Sequence, residues 1–259
     1  MYQGASADGE CPLVVDTSTP SCGDSRFGCW VCTMVDQDKS MSAMIQNDEE
    51  KEWMLPLLKL RDELDVTNDR HLRDYRRMNG FVQIFRGRNI PGPYTQSSRA
   101  HWLRRVLEAQ TWIRRQGPAN VREIELISLP ELHEIRRIWV IEKHEIEDLL
   151  PSIYVDATGA DFPGERVDNG LVFGRSEMEV LREVCGKDRV HYELARELLG
   201  VAQGYRGQLR RAGLHEALEK SIRKHFFASE TEAVDRAISR QEAYDKVNEG
   251  RGEGRKNVT

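Results

Sequence analysis

No run of apolar residues in this chain approaches the roughly 20 needed to cross a bilayer, and Met1 to Glu10 has neither the basic start nor the apolar stretch of a secretory leader. Both absences point away from a membrane and toward a reduced, cytoplasmic setting. Histidine motifs are missing as well: the seven histidines show neither H-E-x-x-H nor an H-x3-H pair, so zincin-type metal sites are excluded and no Ser or Asp pattern proposes a triad. The net charge of -5 gives no whole-protein bias toward nucleic acid, and proline is scarce at nine in 259 residues. With 39% hydrophobic residues the chain has enough apolar material for a core.

Cysteine is also scarce, yet four of the five cysteines fall between Cys11 and Cys32, at a spacing of C-x10-C-x6-C-x2-C. The fifth, Cys185, stands alone. In a reduced setting, four thiols in one loop closed by a C-x2-C knuckle form a metal site. Two occupants compete for it. Zinc takes four sulfurs tetrahedrally, whereas an iron–sulfur cluster takes one cysteine per iron. Zinc ribbons usually present two short pairs, and here only Cys29 and Cys32 make one, which leans toward a cluster. Pro12, Gly23 and Gly28 beside the cysteines allow the sharp turns that aim backbone amides at sulfur.

The stretch CPLVVDTSTPSCGDSRFGCWVCTMVDQDKSM, followed by EEKEWMLPLLKLRDEL and later by GPYT, resembles the DndC family, the sulfurtransferase component of DNA phosphorothioation systems. The resemblance runs from Met1 to about Tyr244 and is most specific at Ser25 to Thr33, S-R-F-G-C-W-x-C-T. It implies a 4Fe-4S cluster on Cys11, Cys22, Cys29 and Cys32. It also implies replacement of a non-bridging phosphate oxygen of DNA by sulfur, with a cysteine desulfurase and the other phosphorothioation-system proteins as partners. That family carries a nucleotide-binding half similar to phosphoadenylylsulfate reductases, with an S-G-G-K-D-S-type loop for ATP. This sequence contains no such loop, so the chain is expected to correspond to the C-terminal half, and the ATP site of the full-length family is not expected within it. The organisation that follows is a cysteine-rich loop over 1–36, a helical domain over 37–248 and a mobile polar tail over 249–259. Two other functions stay open: a zinc- or Fe–S-stabilised module that binds DNA or a partner without catalysis, and a phosphoadenylylsulfate reductase-like enzyme of small-molecule sulfur metabolism.

After the cysteines the pattern is helical, and the expected fold is mainly α with few short strands, organised on the four-cysteine loop. Asp38 is placed to cap a helix carrying Met41, Met44 and Ile45. Asp48 opens another, with Trp53, Leu57, Leu60 and Leu64 at helical spacing and Pro56 marking a kink or a fresh start. This Met and Trp stripe suits either ordinary core or insulation of a cluster. Phe81 to Phe85 reads as a short strand, and Thr95 as the N-cap of a helix to about Gln116, stopped by Gly117 and Pro118. Three S-x-x-E boxes, at Ser128, Ser176 and Ser229, announce later helices, the first with Leu132, Ile135, Trp139 and Ile146 as its stripe. Three helices are expected over 188–248.

Between Arg70 and Arg115 there are eleven arginines and no lysine, against only Asp74 and Glu108. Guanidinium forks match phosphate oxygens, so this band is a candidate nucleic-acid or phosphate contact, with Arg86, Arg88, Arg99, Arg104 and Arg105 as its chosen members. Tyr75, Phe81, Phe85 and Tyr94 are interleaved for stacking. The opposing expectation is that these arginines pair with glutamates such as Glu123, Glu125, Glu131 and Glu134. Cys185 falls on the apolar face of a helix ending at Gly186, as a small hydrophobe or as a sulfur carrier.

Overall fold

The fold, obtained as a computed structural model, describes residues 30, 31, 33, 37–164, 173–206, 208 and 211–254. It is mainly helical, as expected, and divides into two compact units. One comprises Met1–Asp69, His101–Ser128 and Ile153–Asp161; the other comprises Arg70–Ala100, Leu129–Ser152 and Phe162–Thr259. Among the described residues no helix is long and apolar enough to cross a membrane.

In the first unit, Asp38 caps α1 (Lys39–Asn47) by accepting a hydrogen bond from the Met41 amide at 2.8 Å. Asp48 then accepts from the Glu50 amide at 2.9 Å and opens a 3-10 turn over Glu49–Met54. Pro56, at the start of α2 (Leu55–Leu64), marks a fresh start, because its missing N–H costs nothing in a first helical turn. The periodic residues turn inward as the spacing predicts: Met41, Trp53, Met54 and Leu57 are buried together with Ile113 of α3 (Gln96–Gln116). Full burial of side chains of this size contributes about 1.5–3 kcal/mol each. Gln110, buried on the same helix, accepts from the amides of Leu126 at 2.6 Å and Ile127 at 3.1 Å through one Oε1 atom. That ties down the chain beyond Gly117, where the helix stops.

The second unit begins with a two-stranded antiparallel hairpin, β1 (Ile84–Phe85) and β2 (Arg88–Asn89). Its two turn residues, Arg86 and Gly87, have φ of 48° and 72°, the left-handed pair that makes a tight hairpin follow strand twist. The strand is shorter than the sequence suggests, since Phe81 and Val82 lie outside it. Thr95 caps the N-terminus of α3 as expected, its Oγ1 accepting from the Ser98 amide at 3.3 Å.

α4 (Leu129–Arg137) passes into a π-helical turn over Ile138–Glu142. The wider winding ends the 3.6-residue period, so Ile146 of the expected stripe is buried beyond the helix and not on it. Next come α5 (Leu150–Thr158), α6 (Arg175–Cys185), α7 (Arg189–Gly204), α8 (Leu214–His225) and α9 (Glu230–Gly254). α7 packs on both α6 and α8. The second S-x-x-E box is displaced: α6 starts at Arg175, so Ser176 is already inside it, and Glu177 instead accepts from the Gly174 amide at 2.7 Å. The third holds, with Ser229 accepting from the Glu232 amide at 3.1 Å. α7, α8 and α9 are the three helices expected over 188–248, and α9 continues to Gly254, into the stretch assigned to the polar tail.

Candidate functional site

Cys11, Cys22, Cys29 and Cys32 lie outside the described residues. Their donor set, four thiols, fits tetrahedral zinc and an iron–sulfur cluster equally by chemistry alone. Trp30, between Cys29 and Cys32, is described: it is partly buried and packs against the core of the first unit. Among the described residues no group of three or more His, Cys, Asp and Glu side chains is placed to hold a metal ion. Cys185 is a free, half-buried thiol at the end of α6, where Gly186 takes φ 57° and donates its N–H to the Arg182 carbonyl.

The five chosen arginines divide between the two units. In the first, Arg104 meets Asp156 at 3.0 Å, and Arg105 clamps Glu63 through Nε at 2.8 Å and Nη2 at 2.6 Å while reaching Glu108 at 2.7 Å. In the second, Arg99 forks onto the buried Glu145 and lies 5.1 Å from the centre of the Trp139 ring. Of the glutamates expected as partners, Glu125 stands 3.9 Å from Arg114, and Glu134 pairs with Arg137 at 2.8 Å. Arg86 and Arg88 differ from the rest. Both are exposed at the hairpin and have no carboxylate partner among the described residues, and Arg86 lies 5.2 Å from the ring centre of Phe85, itself 61% exposed.

Many charged side chains of the second unit surround a cavity of ≈ 260 Å³. Arg76 sits in its wall, buried, and grips Asp74 through Nε and Nη2, both at 3.0 Å, while Nη2 also meets Glu193. Burial pushes the Asp74 carboxyl up, but the Arg76 hydrogen bonds and charge outweigh it and leave that carboxyl below its ordinary range. Arg196 of α7 enters the same wall and meets Glu147 at 3.2 Å and Gln96 at 3.0 Å. Glu147 also accepts from the Tyr192 hydroxyl, and burial together with that carboxylate pushes the phenol up to about 12.

The segment after the π-helical turn supplies Lys143 and Glu145 to the cavity. His144 and Asp148 within it take φ of 53° and 46°, strain that non-glycine residues hold only where surrounding contacts over-determine it. Those contacts are visible: His144 Nδ1 is 2.8 Å from Glu197, and its ring fits against Gly200, where an added Cβ would come within 2.4 Å of it. Burial raises the Glu197 carboxyl, yet the His144 hydrogen bond and the charges of His144 and His225 bring it down to about 2. Burial, then the neighbouring Arg99 charge, presses the Lys143 ammonium below its usual range.

Comparison with known protein families, with curated proteins and with solved structures finds no match to this chain. Sequence alone does not single out Lys143, Arg196 and Lys224 of the cavity, and it shows Arg76 only as one of the eleven arginines of the band. The one local signal is the run of charges Glu142, Lys143, Glu145 and Glu147 after an apolar stretch. Acids and bases so close in sequence usually mark a solvated turn, and only the tertiary fold buries Glu145 and Glu147.

Proposed function

We propose that this chain is the sulfurtransferase component of a DNA phosphorothioation system, corresponding to its C-terminal portion. In this reading it helps replace a non-bridging oxygen of the DNA backbone by sulfur, with ATP activating the phosphate in the nucleotide-binding half and a desulfurase supplying the sulfur. The observation that carries the reading is the cysteine loop, C-x10-C-x6-C-x2-C within the S-R-F-G-C-W-x-C-T ending. Cys11, Cys22, Cys29 and Cys32 would hold a 4Fe-4S cluster, which supplies electron-transfer or sulfur-handling chemistry when bound. The hairpin tip supports a DNA contact: Arg86 and Arg88 present guanidinium groups free of carboxylates among the described residues, beside the exposed Phe85 ring. Arg99, Arg104 and Arg105 are held in ion pairs and serve the second line, reaching a phosphate only by exchanging a carboxylate for it.

The test is replacement of Cys29 by serine in cells carrying the complete modification system, with phosphorothioate dinucleotides counted by mass spectrometry after digestion of the DNA. Loss of the modification at unchanged protein level is expected. Undiminished modification would overturn the reading. Because the S-G-G-K-D-S loop is absent from this sequence, the purified chain by itself is expected to release little or no pyrophosphate from ATP. A second reading, a metal-stabilised module that binds DNA without catalysis, is favoured by the same hairpin, and in that case the serine variant loses DNA binding while modification persists.

A further inference from the structure

We propose that the charged cavity of the second unit binds a terminal, dianionic phosphate group, of the kind carried by inorganic phosphate, pyrophosphate or a nucleotide. The inference stands on the cavity alone and does not depend on the sulfurtransferase reading.

Seven guanidinium or ammonium groups line the cavity against five carboxylates. The carboxylates are all engaged. Asp74 and Glu193 are held by Arg76 and Arg189, and Glu145 by Arg99. Glu142 is drawn away to Arg137 at 2.6 Å and Glu197 to His144 at 2.8 Å, neither of which lines the cavity. The cations are not all engaged. The Arg77 guanidinium donates to the Pro91 carbonyl at 2.8 Å, and Arg77, Lys143 and Lys224 have no carboxylate within ion-pair distance among the described residues. Arg76, 7% exposed, keeps its Nη1 buried without an acceptor among the described residues.

Positive groups gathered in a partly enclosed space repel one another, and a buried donor without an acceptor forfeits the hydrogen bonds it had in water. A protein retains such an arrangement when something else supplies the negative charge. Arg77, Lys143 and Lys224 are left without a carboxylate partner among the described residues, and a phosphate oxyanion supplies the negative charge they lack. The lowered proton affinity of Lys143 agrees with this, since an anion in the cavity would restore it. The strained backbone at His144 fits too: it holds the adjacent Lys143 toward the cavity and is braced by Glu197 and Gly200.

The test is calorimetric titration of the full chain with inorganic phosphate, with pyrophosphate, and with a thymidine oligonucleotide lacking terminal phosphates. Saturable binding of pyrophosphate at one site is expected, and Lys143→Gln combined with Lys224→Gln should weaken it by about a hundredfold or more, each charge-assisted hydrogen bond removed being worth about tenfold or more. Lys143→Arg keeps the charge and should stay within roughly threefold of the natural chain. Arg223→Gln, on the same helix as Lys224 but paired with Glu219 and 75% exposed, should leave binding unchanged. Should the double variant fail to fold by circular dichroism, Lys224→Gln alone provides the same comparison. The proposal is overturned by absence of saturable pyrophosphate binding up to about 10 mM, by equal losses in the Lys224 and Arg223 variants, or by binding confined to the oligonucleotide.

Discussion

Replacing Arg76 by methionine removes the charge at the centre of the second unit while keeping a side chain of similar length. Two carboxylates then lose their principal partner: Asp74, 18% exposed, and Glu193, 14% exposed. Breaking a buried pair from one side costs about 3–5 kcal/mol, because the remaining charge stays desolvated. Arg189 softens the loss, since it still reaches Glu193 at 2.7 Å and Asp74 at 3.5 Å. We therefore place the cost near the lower bound, about 3 kcal/mol, which corresponds to a fall of roughly 6–12 °C in thermal midpoint for a chain of this size. The second arm is pH. The Asp74 carboxyl is held below its ordinary value of 3.8 by Arg76 against the opposing effect of burial. A depressed carboxyl stabilises the fold above its unfolded value and loses that contribution as pH falls through its folded value. The gap between the natural chain and Arg76→Met should accordingly narrow below about pH 4. Adding Asp74→Asn to Arg76→Met should recover part of the stability, since the stranded charge is gone. A midpoint within about 2 °C of the natural chain, or strictly additive effects of the two substitutions, would refute the reasoning.

Glu197→Gln probes the other buried carboxylate, whose folded value of about 2 lies well below its ordinary 4.5. Denaturant titrations should find the variant less stable by about 1–3 kcal/mol at neutral pH, with the deficit shrinking between pH 4.5 and 2; a deficit independent of pH would contradict the assignment. Gly200→Ala places a Cβ 2.4 Å from the His144 ring and should cost about 1–3 kcal/mol by overpacking, with His144→Ala in the same chain relieving much of it. For the hairpin, Arg86→Ala with Arg88→Ala should lower the slope of log affinity for DNA against log salt by about 0.9 for each phosphate no longer neutralised. An unchanged slope would place the DNA-binding surface elsewhere.

Local signals in the sequence are reliable where the cause is local. Asp38, Thr95 and Ser229 cap the helices that follow them, because a side-chain oxygen three residues before a free amide needs nothing from the rest of the fold. Leu57 and Leu60 are buried on α2 for a similar reason, their spacing already defining one helical face, and Met41 and Trp53 of the preceding elements join Leu57 in the core. Ile146 and the second capping box mislead because a π-helical turn and a shift of the helix start to Arg175 both change register, and register is set by packing. The arginine band misleads differently. Its excess of charge is an excess over sequence neighbours, but Arg105 finds its carboxylate 42 positions away, Arg99 46 away and Arg76 117 away. Arg86 and Arg88, on a hairpin with a left-handed turn, are exposed and retain among the described residues the free charge that composition suggests. The cavity is the extreme case, since its lining comes from the hairpin region, the segment after α4, α7 and α8.

The claim on which the functional account rests is the nature of the group held by Cys11, Cys22, Cys29 and Cys32. Iron, zinc and acid-labile sulfide, measured on the same anaerobically purified chain, test it most directly. About four iron and about four sulfide per chain are expected with broad visible absorption, both lost when Cys29 is replaced by serine. One zinc per chain with no sulfide, or four freely titrating thiols with no metal, would contradict it.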